Sequence, residues 1–96
     1  MSEIFRTNYF IAKNGQGGAL AEAFEPIVET ILGCEGCISC ELFQSGDNPD
    51  LLLVFEHWTS AEKHQAAAKA VKPGDFQKVM AFLDGKPEGN YFSKVA

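Results

Sequence analysis

The chain has 96 residues, 46% of them hydrophobic and 22% charged, a balance that suits one soluble globular domain over residues 1–96. Eight Lys and Arg residues against a net charge of -5, with no basic cluster, exclude an ordinary nucleic-acid surface. The opening MSEIFRTNYF lacks the basic flank and apolar run of a signal peptide, and the longest apolar run, Leu51–Phe55, is too short to cross a bilayer, so the expected location is the cytoplasm, away from membranes.

Residues 3–13 are rich in β-branched and aromatic side chains and end at Asn14-Gly15, which predicts a first strand closed by a turn. Asn8 is a polar residue inside it. Over residues 18–32, Leu20, Phe24, Ile27, Val28 and Ile31 recur at helical spacing, with Glu22, Glu25 and Glu29 opposite them. Pro26 lies within this pattern and predicts a kink or a late start, because proline removes a helical hydrogen bond. Gly15-Gln16-Gly17-Gly18 lacks both the G-x-G-x-x-G pattern and a P-loop lysine, and reads as a turn.

The connection that follows, Cys34-Glu-Gly-Cys-Ile-Ser-Cys40, has the C-x-x-C-x-x-C spacing of metal sites. These are the only three cysteines, so a fourth thiolate is missing. In extended chain Cys37 and Cys40 are an odd number apart and point to opposite faces, so they are not expected to share an ion. Cys40 has the parity of Ile38 and Leu42 and is expected in the core as a small hydrophobe. Reduced thiols and no metal are expected.

Residues 36–45 predict a second strand, Gly46-Asp-Asn-Pro49 a turn, and Leu51–Trp58 a third strand whose continuous apolar start implies burial on both faces. Thr59-Ser-Ala-Glu62 fits a capping box opening a second helix that runs to about Val71. Pro73-Gly74-Asp75 interrupts it, and Phe76, Val79, Met80 and Leu83 resume helical spacing as far as Asp84-Gly85. Residues 89–95 predict a last strand. The order β-α-β-β-α-β is that of an α+β, ferredoxin-like fold, an antiparallel sheet with two helices on one face. Apolar residues of both parities line strands 1 and 3, so the second sheet face needs cover. A second copy, giving a homodimer, is the simplest cover; a ligand or another protein is the alternative.

Two short motifs add a resemblance. Glu35-Gly36-Cys37 at the entrance of strand 2, and Glu56-His57-Trp58-Thr59-Ser60-Ala61-Glu62 where strand 3 meets helix 2, resemble the antibiotic biosynthesis monooxygenase family over nearly the whole chain. The resemblance implies a dimeric α/β barrel. It also implies a cofactor-independent monooxygenase acting on a small electron-rich aromatic, such as a quinol or an anthrone-like phenol. Relatives include haem-degrading enzymes, and a non-enzymatic ligand-binding or stress-related dimer is the further alternative. Many members carry a histidine nine residues after the tryptophan, where this chain has Ala67.

Candidate catalytic residues are Asn8, Glu56 and His64; candidate substrate-binding residues are Trp58, Tyr9 and Phe92. The Asn8 amide suits a substrate oxygen, or it is satisfied by neighbouring backbone. Glu56, if buried, takes a proton with a raised pKa, or it makes an ion pair or a loop hydrogen bond. Trp58 shares its parity and is either pocket wall or core anchor. His64 is either a proton-transfer group or a neighbour of small residues that allow close packing. Tyr9, Tyr91 and Phe92 are pocket walls or core.

Overall fold

The computed structural model describes residues 3–96. Four strands, β1 (Ile4–Ile11), β2 (Cys37–Gln44), β3 (Leu51–Trp58) and β4 (Glu88–Phe92), form one antiparallel sheet in the order β2-β3-β1-β4. Helix α1 (Gly17–Leu32) connects β1 to β2. Between β3 and β4 lie α2 (Ala61–Ala67), a 3₁₀ turn (Ala68–Ala70) and α3 (Pro73–Phe82). This is the ferredoxin-like arrangement expected from the element order, with the second helical region split in two at Pro73.

The sheet's two faces follow from the period of two along each strand. Leu52, Val54, Glu56 and Trp58 of β3 are all buried beneath the helices, while the alternating residues Leu51, Leu53, Phe55 and His57 are only half-buried on the other face. In the single chain, β3 is therefore buried fully on one face, not two. The core joins Phe24, Leu20 and Ile27 of α1 to Leu52 and Val54, with Val79 and Leu83 closing the far end.

Helix α1 begins earlier than Pro26 requires and runs through it without interruption. Pro26 lies on the exposed side, where water can satisfy the carbonyl that lost its partner. The start of α1 is held by Asp50. Its carboxylate accepts hydrogen bonds from the backbone N–H groups of Gly15 and Gly17, both at 2.9 Å. A Cβ on Gly17 would collide with the Pro49 carbonyl, which explains the glycine there. The cap of α2 is Ser60, one residue later than the capping box predicts; its hydroxyl accepts from the Lys63 N–H at 3.3 Å.

The cysteine segment departs from simple alternation. A bulge between Cys37 and Ser39 inserts one residue, so Cys37 lies opposite Trp58 and Cys40 opposite Glu56. Both partners are on the helix side, so Cys37 and Cys40 share a face, and the expectation of opposite faces is corrected. Ile38, expected beside Cys40 in the core, is turned outward and is 48% exposed. Gly36 precedes the bulge at φ 89°, where a Cβ would also meet the side chain of Lys63. Among the described residues no group of three or more His, Cys, Asp or Glu is placed to hold a metal ion. Burial raises the Cys37 thiol pKa and pushes that of Cys40 up to about 12, with Glu56 adding to both. We expect Cys34 and Cys37 to react with a maleimide first and Cys40 only on unfolding, because the thiolate is the nucleophile. Mass mapping of the labelled peptides checks this; early labelling of Cys40 would contradict its burial.

Candidate functional site

On the helix side, β1 and β3 form the floor of a cavity of about 520 Å³. Phe10 and Val54 of the sheet face Phe24, Ile27 and Ile31 of α1 across it, and Val79 of α3 closes one side. The exposed side chain of Phe76 stands at its rim. Two of the lining side chains are polar, the Asn8 amide and the Glu56 carboxyl, on adjacent strands. The volume and the ratio of apolar wall to polar groups are those of a small-molecule site.

Glu56 is 3% exposed. The Trp58 indole Nε1–H donates to its Oε1 at 2.8 Å, and His64 Nε2 approaches the same oxygen at 3.9 Å. Burial raises the Glu56 pKa, and that effect exceeds the lowering by the indole hydrogen bond and by the positive charge of Arg6. His64 is shifted down, first by burial and then by Arg6. Its Nδ1 lies 2.7 Å from the Tyr91 hydroxyl, and its ring meets the edges of Trp58 and Tyr91 at centroid distances of 5.5 and 5.3 Å.

Arg6 and Tyr91 are opposite one another in the β1-β4 ladder, and the guanidinium stacks over the phenol ring at 4.7 Å. Gly89 makes room for this arrangement, since a Cβ there would collide with the Arg6 guanidinium and the Asn8 amide oxygen.

The six residues singled out from the sequence thus separate into four groups. Asn8 and Glu56 face the cavity. Trp58 is fully buried beneath it and holds Glu56, so it supports the site from behind; it does not line the cavity. His64 contacts Glu56 from the side of α2. Tyr9 and Phe92 stand on the opposite face of the sheet, 46% and 52% exposed. Grouping them with Asn8 as walls of one pocket is corrected for the single chain: along β1 the odd positions point away from the helices. Tyr91, one residue before Phe92, is the aromatic on the helix side. Ala67 does not line the cavity either; its neighbour Ala68 does. Arg6 and Gly89 were missed from the sequence, because their importance depends on the pairing of β1 with β4.

A ferredoxin-like α+β fold with an apolar cavity and one carboxyl and one amide on its floor has the architecture of a small-molecule site, and that fold supports many chemistries. The sequence model of the family described as antibiotic biosynthesis monooxygenase matches residues 4–84, and the chain belongs to that family. Solved structures share the fold at low identity. A conserved protein from Methanosarcina mazei Go1 is 21% identical, with a TM-score of 0.84 over 99% of this chain and 95% of its own. SnoaB from Streptomyces nogalater, a cofactor-independent oxygenase, is 16% identical, with a TM-score of 0.83 over 100% and 96%. A Pseudomonas aeruginosa protein is 15% identical, with a TM-score of 0.83 over 100% and 97%. No curated protein matches the chain closely enough to count as a relative. No helix among the described residues is long and apolar enough to cross a membrane.

Proposed function

We propose that the chain is a cofactor-independent monooxygenase that oxidises a small electron-rich aromatic, a quinol or an anthrone-like phenol, with dioxygen. The observation that carries this reading is the cavity floor: a buried carboxyl with a raised pKa beside an amide, in otherwise apolar walls. Family membership and likeness to an oxygenase fold support it. Glu56 takes the phenolic proton, and the Asn8 amide N–H donates to the oxygen as negative charge develops there. The phenolate then passes one electron to dioxygen, and the two radicals combine through a new C–O bond. For an anthrone-like CH₂ group, loss of the remaining C–H proton with O–O cleavage leaves a carbonyl and releases water. One CH₂ and one O₂ become one C=O and one H₂O. Apolar walls favour each step by excluding water and fixing the ring.

Oxygen uptake with a panel of quinols and anthrones tests the reading. Asn8→Ala is expected to slow turnover by about 100-fold. Asn8→Asp is expected to slow it further, since a carboxylate there opposes the phenolate. No uptake above background with the parent protein would favour a ligand-binding role without catalysis.

The active form in this reading is a homodimer joined through the open sheet face. Phe5, Phe55 and His57 stack there, and Tyr9, Ile11, Phe43 and Phe92 lie exposed on β1, β2 and β4. That much apolar surface calls for a partner. Light scattering is expected to give twice the chain mass at micromolar concentration; the mass of one chain would remove the dimer.

A further inference from the structure

Deprotonating a substrate inside a filled cavity creates a problem for Glu56. Once an aromatic ring covers its cavity side, water no longer reaches the carboxyl from there. Glu56 is the only ionisable side chain lining the cavity among the described residues. The proton it takes is needed again when reduced oxygen leaves as water, so any exchange with solvent in between has to run from its other side. A line of polar groups leads away from it on the other side, its first separation longer than a hydrogen bond and its second within one. Glu56 Oε1 lies 3.9 Å from His64 Nε2, and His64 Nδ1 lies 2.7 Å from the Tyr91 hydroxyl. Exposure rises along that line, from 3% at Glu56 through a half-buried His64 to 41% at Tyr91.

We propose that Glu56, His64 and Tyr91 form a two-way proton relay between the cavity and solvent, with His64 and Tyr91 acting through Glu56 and not on the substrate. The proposal rests on the monooxygenase reading for its purpose, though not for its geometry.

The atoms balance as follows. At the start His64 carries its proton on Nδ1 and donates it in the hydrogen bond to Tyr91 Oη. Glu56 takes the substrate proton and, once a small turn of the imidazole closes the 3.9 Å separation to hydrogen-bond distance, passes it to His64 Nε2. The imidazolium releases its Nδ1 proton to Tyr91 Oη, and the phenol's own proton goes to water. One proton has left the site, and His64 is now protonated on Nε2. On the return pass Tyr91 takes a proton from water as its own passes to Nδ1, and the Nε2 proton returns to Glu56 for the reduced oxygen. This return restores the starting tautomer. The overall oxidation neither consumes nor releases protons, so the two passes cancel.

The neighbouring groups fit this role. The titratable or charged groups facing Glu56 are Arg6 on β1, Cys37 and Cys40 on β2, and His64 on α2, with Tyr91 on β4 reached through His64. Both thiols have raised pKa values and stay protonated. The positive charge of Arg6 favours a neutral His64, the form that can accept a proton. Trp58 orients Oε1 through its indole hydrogen bond, and its T-shaped contact with His64 limits the ring's movement.

Trp58 is the only tryptophan in the chain and hydrogen-bonds to Glu56, so its emission reports the protonation of that carboxyl without any turnover. The test is a laser pH jump from a caged proton, followed by Trp58 emission excited at the red edge of its absorption, with the cavity saturated by toluene, a redox-inert aromatic transparent there. Tyr91→Phe and His64→Gln are compared with the parent, and Glu56→Gln serves as the control in which the signal disappears. Both relay variants are expected to slow the response by at least about tenfold, without moving the equilibrium midpoint in Tyr91→Phe. Added imidazole is expected to restore the rate in His64→Gln. An unchanged rate in Tyr91→Phe, a half-exposed position where folding is not at risk, would overturn the relay. In oxygen uptake, the same variants should lower kcat and leave KM unchanged. Absence of turnover in the parent would end the monooxygenase reading while the emission experiment still decides the relay.

Discussion

Trp58→Ala is expected to lower the stability of the protein by about 3–5 kcal/mol, the usual loss for emptying a buried aromatic site. Trp58 is fully buried at the end of β3, opposite Cys37 of β2 and Ile4 of β1. Its removal takes away the contact on which the His64 ring rests and deprives Glu56 Oε1 of its donor. An unpartnered buried carboxyl adds a penalty of its own, about 1–3 kcal/mol in typical cases. Trp58→Phe separates the two effects, because it keeps most of the ring packing and loses only the indole N–H. Urea unfolding at one fixed protein concentration measures both variants. Equal stability of Trp58→Ala and the parent would contradict the burial of this side chain.

Glu56→Gln is expected to have the larger effect on rate. Removing a positioned general base typically costs about 10²–10⁴-fold, and the amide also leaves the relay without an entry group. The sign of the pH dependence follows from the raised pKa of Glu56. A base works as the carboxylate, so the rate of the parent rises with pH through that pKa, at higher pH than an ordinary glutamate would give. Glu56→Gln should lose this limb altogether.

Stability provides a second and independent reading. The folded pKa of Glu56 lies above its unfolded value, so the native state binds more protons between the two. Stability is therefore greatest below the unfolded pKa and falls as pH rises through the folded one. His64 is shifted down and acts in the opposite sense near its own pKa, with stability gained as pH rises. It is present in both proteins, so the difference between parent and Glu56→Gln isolates the carboxyl. The parent should lose ground to the variant as pH increases through the acid range. Parallel stability curves would mean that Glu56 is more hydrated than its burial indicates.

Much of this was legible in the residues because it depends on local patterning. The alternation in β3 places Glu56 and Trp58 on one face, and the spacing of Leu20, Phe24 and Ile27 defines the buried side of α1. Those periods reflect the geometry of strand and helix, which any segment obeys in isolation. Where local chemistry competes, the same reading failed by small steps. Ser60 caps α2 in place of Thr59, and the bulge at Ile38 reverses the faces of half of the cysteine segment. A bulge has no period, and this one follows a glycine turn whose need is set by Lys63, a residue on another element.

By itself the sequence determined the element order, the buried face of α1, the family, and the choice of Asn8 and Glu56 as polar residues in apolar strands. Tertiary structure decided what those residues do together. Pairing of β1 with β4 brings Arg6 beside Tyr91 and makes Gly89 necessary, and packing of α2 on the sheet sets His64 between Glu56 and Tyr91. The same pairing separates Tyr91 from Phe92 by a full sheet thickness, although they are neighbours in the chain. Contacts between residues far apart in sequence depend on register, and register is a property of the assembled sheet that no single strand contains.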